Sequence, residues 1–260
     1  MAMRVFAHVP YHLLEQNLDL ILSRRINPEI HFTGESLDNL LPEQLTAVAG
    51  VLSANGIRTT IHAPFIDLNP GSVETLVREA TRHRFKQVLD AADILKPEVM
   101  VFHPGYDRWR YGDSQEKWLK HSIDSWQMVI ERAESIDCTI AVENIFEEDP
   151  STLRSLLEAV DSPRLRHCFD VGHWNLFGTT SLEEWFGELG AFIAETHVHD
   201  NFGKKDDHLP IGDGIIDFDL FFSLMDRHAP TAAFTIEAHC QKDVLTALER
   251  LKSRLPHTEA

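Results

Sequence analysis

The sequence predicts an α/β protein folded as a single (β/α)8 TIM barrel over residues 1–260. Its length is that of one barrel of eight strands and eight helices. Short apolar segments alternate eight times with longer helical patterns, and no linker or low-complexity stretch interrupts them. No GxGxxG motif follows the first strand, so an open dinucleotide-binding sheet lacks its main sequence marker.

The apolar segments are the predicted strands, and helix start signals stand between them. The strands cover residues 4–8, 29–32, 58–63, 98–103, 139–143, 166–171, 192–199 and 233–238. Pro42 occupies a predicted first helical position, Ser72 and Ser114 are candidate N-caps, and Ser181 with Glu184 has the spacing of a capping box. Helices between consecutive apolar strands predict right-handed crossovers and therefore a parallel sheet.

The composition is that of a globular protein with a full core. Hydrophobic residues make up 43% and charged residues 25% of the chain, which excludes a disordered protein. No apolar run reaches the ~18 residues of a membrane span, and no apolar leader precedes the first strand, so we expect a cytoplasmic protein without a membrane partner. The net charge of −17 counts against nucleic acid as a partner, although bound divalent metals could reverse the sign locally.

Every predicted strand has an imidazole or a carboxylate at its last or second-last position. These residues are His8, His31, His62, His103, Glu143, Asp170, His197 with His199, and Glu237, and Asp206 and His208 follow in a loop. The carboxyl ends of barrel strands meet at one mouth, where several carboxylates would repel one another unless a cation were bound. The mixture of His, Asp and Glu predicts a divalent metal, zinc or manganese first, with iron, cobalt or magnesium as alternatives.

The sequence around these positions resembles the xylose isomerase-like barrel superfamily. The resemblance lies in residues 61–65 (IHAPF), 101–105 (VFHPG), 141–144 (AVEN), 169–173 (FDVGH), 196–200 (THVHD) and 235–238 (TIEA). That superfamily contains sugar and sugar-phosphate isomerases and epimerases, and also AP endonucleases of the endonuclease IV type. By resemblance, one metal would be held by Glu143, Asp170, His197 and Glu237.

The nuclease branch of the superfamily binds three zinc ions and implies further ligands. By resemblance these would be His62, His103, His173, Asp206 and His208, which could alternatively contact substrate. His197 is aligned as the ligand through its His-x-x-Asp spacing, which leaves His199 as a substrate contact, a residue behind the ligands or a packing residue. We do not predict His8, His31 or His239 as ligands.

The first functional hypothesis is an isomerase or epimerase acting on a small carbohydrate, phosphorylated or not. A metal chelated by a carbonyl oxygen and the adjacent hydroxyl would acidify the C–H between them and stabilise an enediolate. By resemblance, Glu143 and Glu237 would be the acid and base. Trp174 is a candidate substrate contact among the loop aromatics, and Arg108 with Arg110, or Lys204 with Lys205, could hold a phosphate.

Two further hypotheses stay open. The complete ligand set is compatible with metal-dependent phosphodiester hydrolysis of the AP endonuclease type. Against it, residues 33–38 and 67–72, which follow the second and third strands, contain acids and no base to hold a DNA backbone. The third hypothesis is a barrel that binds metal or sugar without turnover. The oligomeric state is not predicted.

Overall fold

The structure, a computed structural model, describes residues 4–254 and contains a closed barrel of eight parallel strands in chain order. The predicted (β/α)8 fold is therefore confirmed, while the ends of the predicted domain 1–260 lie outside the described residues. The strands are β1 (Val5–Pro10), β2 (Asn27–His31), β3 (Thr60–His62), β4 (Val99–Phe102), β5 (Thr139–Glu143), β6 (Leu165–Asp170), β7 (Ile193–Val198) and β8 (Ala233–Ile236).

Helices and short helical turns connect the strands. The α-helices are α1 (Tyr11–Leu14), α2 (Leu18–Arg24), α3 (Gly34–Asp38), α4 (Pro42–Ala54), α5 (Thr75–Leu95), α6 (Arg108–Tyr111), α7 (Gln115–Ile136), α8 (Ser151–Val160), α9 (Val171–Phe177), α10 (Leu182–Leu189), α11 (Phe218–His228) and α12 (Gln241–Arg254). Across the part of the chain that the structure describes, no helix combines the length and apolarity needed to cross a bilayer.

Two of the predicted helix start signals are confirmed. Pro42 is the first residue of α4, and the Ser181 hydroxyl accepts the Glu184 N–H while the Glu184 carboxylate accepts the Ser181 N–H. Ser114 precedes α7 without a capping hydrogen bond. The prediction for Ser72 was wrong, because its hydroxyl accepts the N–H of Glu74 in the preceding turn, and α5 begins only after Glu74.

The two faces of the strands pack against different surroundings. One face packs on the helices in the main apolar core, which includes Trp126 and Trp185. A second, small apolar cluster consists of Val99, Val101, Ala141 and Cys168. Side chains alternate along a strand, so this cluster shares its face with the strand-end residues two positions further on, among them Glu143 and Asp170. The same face therefore leads from the interior of the barrel to its mouth.

The loop between β7 and α11 is organised by the buried carboxylate of Asp200. Asp200 forms a backbone bridge with Leu209, which folds the loop back on itself. Its side chain accepts four backbone N–H groups at 2.8–3.2 Å, those of Asn201, Gly212, Gly214 and Ile216. A Cβ atom on Gly214 would collide with this carboxylate, so the approach requires glycine.

We expect Asp200→Asn to lower the free energy of unfolding by about 2–4 kcal/mol, because hydrogen bonds from backbone N–H groups to a carboxylate are lost. The measurement is denaturant unfolding of the metal-free protein. Asp213→Ala in the same loop is the control, since its ion pair with Arg250 is exposed and its removal should cost less than about 1 kcal/mol. Equal losses in the two variants would contradict the role given to Asp200.

Candidate metal centre

The predicted site residues meet at the carboxyl ends of the strands. His62, Glu143 and Asp170 are the last residues of β3, β5 and β6, and His197 is the second-last residue of β7. His103 and Glu237 directly follow β4 and β8. All of them lie at the mouth of the barrel, as the order and direction of the strands require.

Of the four residues predicted to share one metal, three lie around a ring nitrogen of the fourth, His197. Nδ1 of His197 lies 3.4 Å from Oε2 of Glu143, 3.8 Å from Oδ2 of Asp170 and 3.4 Å from Oε1 of Glu237. All four residues are buried. Three carboxylates from different strands thus lie close to one imidazole nitrogen.

Two further groups of donor atoms adjoin this central group. Oε2 of Glu143 also lies 3.3 Å from Nε2 of His62 and 3.4 Å from Nε2 of His103. On the other side, Oδ2 of Asp206 lies 3.4 Å from Nε2 of His173 and 3.0 Å from Nε2 of His208. The structure therefore brings together all nine residues that the sequence singled out as predicted or possible ligands.

The distances between the donor atoms are closer to those between ligands of one divalent cation than to the lengths of hydrogen bonds. Charged N–H···O hydrogen bonds are usually about 2.7–2.9 Å long, whereas metal–ligand bonds of about 2.0–2.1 Å in a tetrahedron leave neighbouring donors about 3.3 Å apart. Most separations here are 3.3–3.8 Å. Within these nine residues, four buried side-chain atoms also have no hydrogen-bond partner in the described chain: Glu143 Oε2, His197 Nδ1, His103 Nε2 and Asp206 Oδ1. Cation binding would satisfy them.

Charge pairing dominates the electrostatics of the mouth. Burial alone would raise the pKa values of Glu143 and Glu237, but the imidazoles around them, His197 foremost, hold both well below the ordinary value. Burial lowers the pKa of His197, but the acidic side chains that surround it outweigh burial and raise it well above its ordinary value. The carboxylates are therefore ionised, as metal ligands must be.

Two backbone arrangements hold the ligands in place. Oδ1 of Asp170 accepts the backbone N–H of His173 at 2.7 Å and so caps α9. Asn144, which follows Glu143, accepts the Asp170 N–H at 2.8 Å and donates to the Asp170 carbonyl at 2.9 Å. The carboxyl ends of β5 and β6 are thereby tied together where two predicted ligands leave the sheet.

The three predicted substrate contacts differ in their surroundings. His199 is buried, with Nε2 3.1 Å from Oδ1 of Asp170 and its ring stacked on that of His208. The Trp174 indole N–H donates to the Thr180 carbonyl at 3.1 Å. Arg108 pairs with Glu148 and lies over the Trp109 ring. Only His199 is thus in contact with a predicted ligand, and all three roles stay predictions.

Sequence reasoning missed Glu29 and undervalued His8. Glu29 is fully buried in β2, with Oε2 3.2 Å from Nε2 of His197. Nδ1 of His8 lies 3.3 Å from Oε1 of Glu29 and 3.3 Å from Oε1 of Glu237. The available signal was alternation, because Glu29 stands two residues before His31 and so shares its face of the strand.

A cavity of about 880 Å³ opens beside His103. Its walls are mainly apolar and aromatic: Phe65, Leu68, Tyr106, Tyr111, Ile145 and Phe146. Arg110 and Lys117 also line it, and neither forms an ion pair with a side chain that the structure describes. The volume lies toward the upper end of small-molecule sites, so the mouth has room for a ligand beside the central group.

Comparison with known proteins identifies the family. Residues 29–254 match the family described as xylose isomerase-like TIM barrel. The chain belongs to this family. The match begins within β2 and includes strands β3 to β8 and all nine donor residues, and it confirms the resemblance that the sequence motifs indicated.

The similar proteins include an epimerase-like structure and a probable endonuclease. A solved structure described as a D-tagatose 3-epimerase-like protein superposes with a TM-score of 0.83, is 26% identical and covers 96% of each chain. The protein MJ1311 of Methanocaldococcus jannaschii is 28% identical over 85% of this chain and 78% of its own. A probable endonuclease 4 of Mycobacterium leprae is 23% identical over 79% of this chain and 84% of its own.

Glu147 is a buried acid next to the centre that has no imidazole partner among the described residues. Its Oε2 accepts the Ile145 N–H at 2.7 Å, while Oε1 has no hydrogen-bond partner in the described chain. Burial raises the pKa of Glu147 to about 7. Between pH 4.5 and 7 the folded protein therefore holds a proton that the unfolded chain has released, and Glu147 lowers stability as the pH rises through this range.

We expect Glu147→Gln to stabilise the metal-free protein at pH 8 by more than about 1 kcal/mol and to have little effect at pH 4.5, because the amide keeps the acceptor without ionising. Urea unfolding at the two pH values measures this. The exposed Glu158→Gln is the control. A variant that follows the wild-type pH dependence would show that Glu147 is not the titrating group.

Proposed function

We propose that the protein is a metal-dependent isomerase or epimerase of a small carbohydrate, phosphorylated or not. The observation that carries the proposal is the convergence of Glu143, Asp170 and Glu237 on Nδ1 of His197. A 26% identical structure described as epimerase-like, aligned over 96% of each chain, supports it. A divalent cation held by these four residues would supply positive charge that acidifies a C–H next to a carbonyl and offsets the charge of the enediolate.

The two glutamates would move the proton. Glu143 ends β5 and Glu237 follows β8, so the two carboxylates reach the mouth from well-separated strands of the ring. An ionised carboxylate on one face of the substrate can remove the proton. Return of a proton to the neighbouring carbon gives isomerisation. Return of a proton to the same carbon from the opposite face inverts the configuration of that carbon.

His8 is placed to supply the proton on the Glu237 side. Its Nδ1 lies 3.3 Å from the Glu237 carboxylate. Burial would lower the pKa of His8, but hydrogen bonding to Glu237 and Glu29 outweighs burial and raises it to about 9. His8 is therefore protonated at neutral pH, and together with Glu237 it can serve as a proton donor.

We expect Glu143→Gln and Glu237→Gln each to lower turnover by at least about 100-fold while the barrel still unfolds cooperatively, because proton transfer by a positioned carboxylate contributes about 10²–10⁴-fold. Turnover is measured as C–H exchange in D₂O over a panel of ketoses, aldoses and their phosphates at saturating metal. Glu158→Gln, an exposed variant outside the mouth, should retain full activity. Near-normal C–H exchange in either variant would contradict the acid–base role of that glutamate.

Phosphodiester hydrolysis is the second candidate, and one observation favours it. His62 and His103 on one side of Glu143, and His173, Asp206 and His208 on the other, offer ligands for more than one ion. The probable endonuclease 4 relative is consistent with it. Against it, Arg108 is paired with Glu148, and residues 33–38 and 67–72 contain acids and no base to hold a DNA backbone.

The number of bound ions should separate the two candidates. We expect protein purified without chelator to retain one transition-metal ion per chain by elemental analysis, to lose it in His197→Gln, and to leave abasic-site DNA intact. The matched variant His208→Asn should retain the ion. Three zinc ions per chain, reduced in number by His208→Asn, together with cleavage of abasic DNA, would replace the isomerase proposal with hydrolysis.

A further inference from the structure

A buried carboxylate stands behind the predicted ligand His197, on the side away from the mouth. Oε2 of Glu29 lies 3.2 Å from Nε2 of His197, and neither residue is exposed to solvent. The other ring nitrogen, Nδ1, faces the carboxylates of Glu143, Asp170 and Glu237. The two nitrogens of one imidazole therefore have separate partners.

This arrangement determines which nitrogen can carry the proton. An imidazole that binds a cation through Nδ1 has its proton on Nε2, where it must donate to an acceptor if it is buried. A carboxylate in that position selects this tautomer, holds the ring in place and increases the basicity of the ligating nitrogen. Glu29 provides such an acceptor from β2, a strand that contributes none of the predicted ligands.

The same carboxylate has a second branch toward Glu237. Oε1 of Glu29 lies 3.3 Å from Nδ1 of His8, and the same His8 nitrogen lies 3.3 Å from Oε1 of Glu237. Glu29 thus has one oxygen on the predicted ligand from β7 and the other on the histidine that faces the predicted acid–base residue. A purely space-filling residue would not need an oxygen at both places.

We infer that Glu29 is a positioning residue that fixes the Nε2–H tautomer and the ring orientation of His197 for cation binding through Nδ1. This inference rests on the metal role proposed for His197. Glu29 itself is not expected to contact the metal or the substrate, and its effect passes through the imidazole.

The barrel provides a matched control in Glu195. Like Glu29 it is a fully buried glutamate, and it stands two residues before His197 on the same face of β7. Its Oε1 accepts the Thr235 hydroxyl, and among residues 4–254 it forms no hydrogen bond with an imidazole. Glu195 lies within 4.8 Å of a ring nitrogen of His197, so Glu195→Gln replaces a carboxyl group at the same depth and close to the ring without removing a hydrogen bond to it.

Zinc affinity, measured by competition with a chromogenic chelator, tests the inference. We expect Glu29→Gln to weaken zinc binding about 10- to 100-fold, since loss of a carboxylate behind a ligating histidine has this effect, and Glu195→Gln to change it less than about threefold. Equal affinities in the two variants, whether both normal or both weakened, would overturn the role of Glu29.

A second measurement does not depend on folding of the variant. Long-range ¹H–¹⁵N spectra of the zinc-loaded wild-type protein report the His197 tautomer, assigned by the signals lost in His197→Gln. A proton on Nε2 is the expected result, and a proton on Nδ1 would overturn the inference even if Glu29→Gln failed to fold. Wild-type protein that bound no zinc would instead overturn the proposed function, and this inference with it.

Discussion

The mutual repulsion of three buried carboxylates is the constraint on which the mouth of this barrel depends. Glu143, Asp170 and Glu237 are all within 3.8 Å of one histidine nitrogen and are largely shielded from water. Charges placed so close in a weakly polar interior require positive charge nearby. Protonated imidazoles can supply it, and a bound divalent cation would supply it when the imidazoles are neutral. Protons should therefore compete with a metal ion for the same imidazole and carboxylate groups.

The barrel holds the donor residues of this cluster in fixed positions. The strand ends fix the backbone of most donors, the Asn144 amide ties β5 to β6, and the Asp200 carboxylate holds the loop that carries Asp206 and His208. A site in which donor atoms are already gathered loses little conformational entropy when a ligand arrives. The arrangement is thus suited to strong and selective binding.

The fold was readable from the sequence because its signal is repeated eight times, so that errors of one or two residues at strand ends do not change the answer. The convergence of the predicted donor residues was readable for a related reason, since a parallel barrel brings all strand ends to one side. Glu29 was not, because it lies within β2, and whether such an acid is buried depends on the depth of the barrel. The surroundings of Arg108 and Trp174 depend on loop conformation, which Glu148 and Thr180 decide.

The two carboxylate oxygens of Asp170 have different partners, and this couples the centre to helix α9. One of its oxygens caps α9 and the other faces His197. Any swing of α9 would pull on the capping oxygen and rotate the carboxylate out of the cluster. A cation bound at the centre and the order of this short helix would therefore be mechanically linked, so that removal of the cation would fray the start of α9.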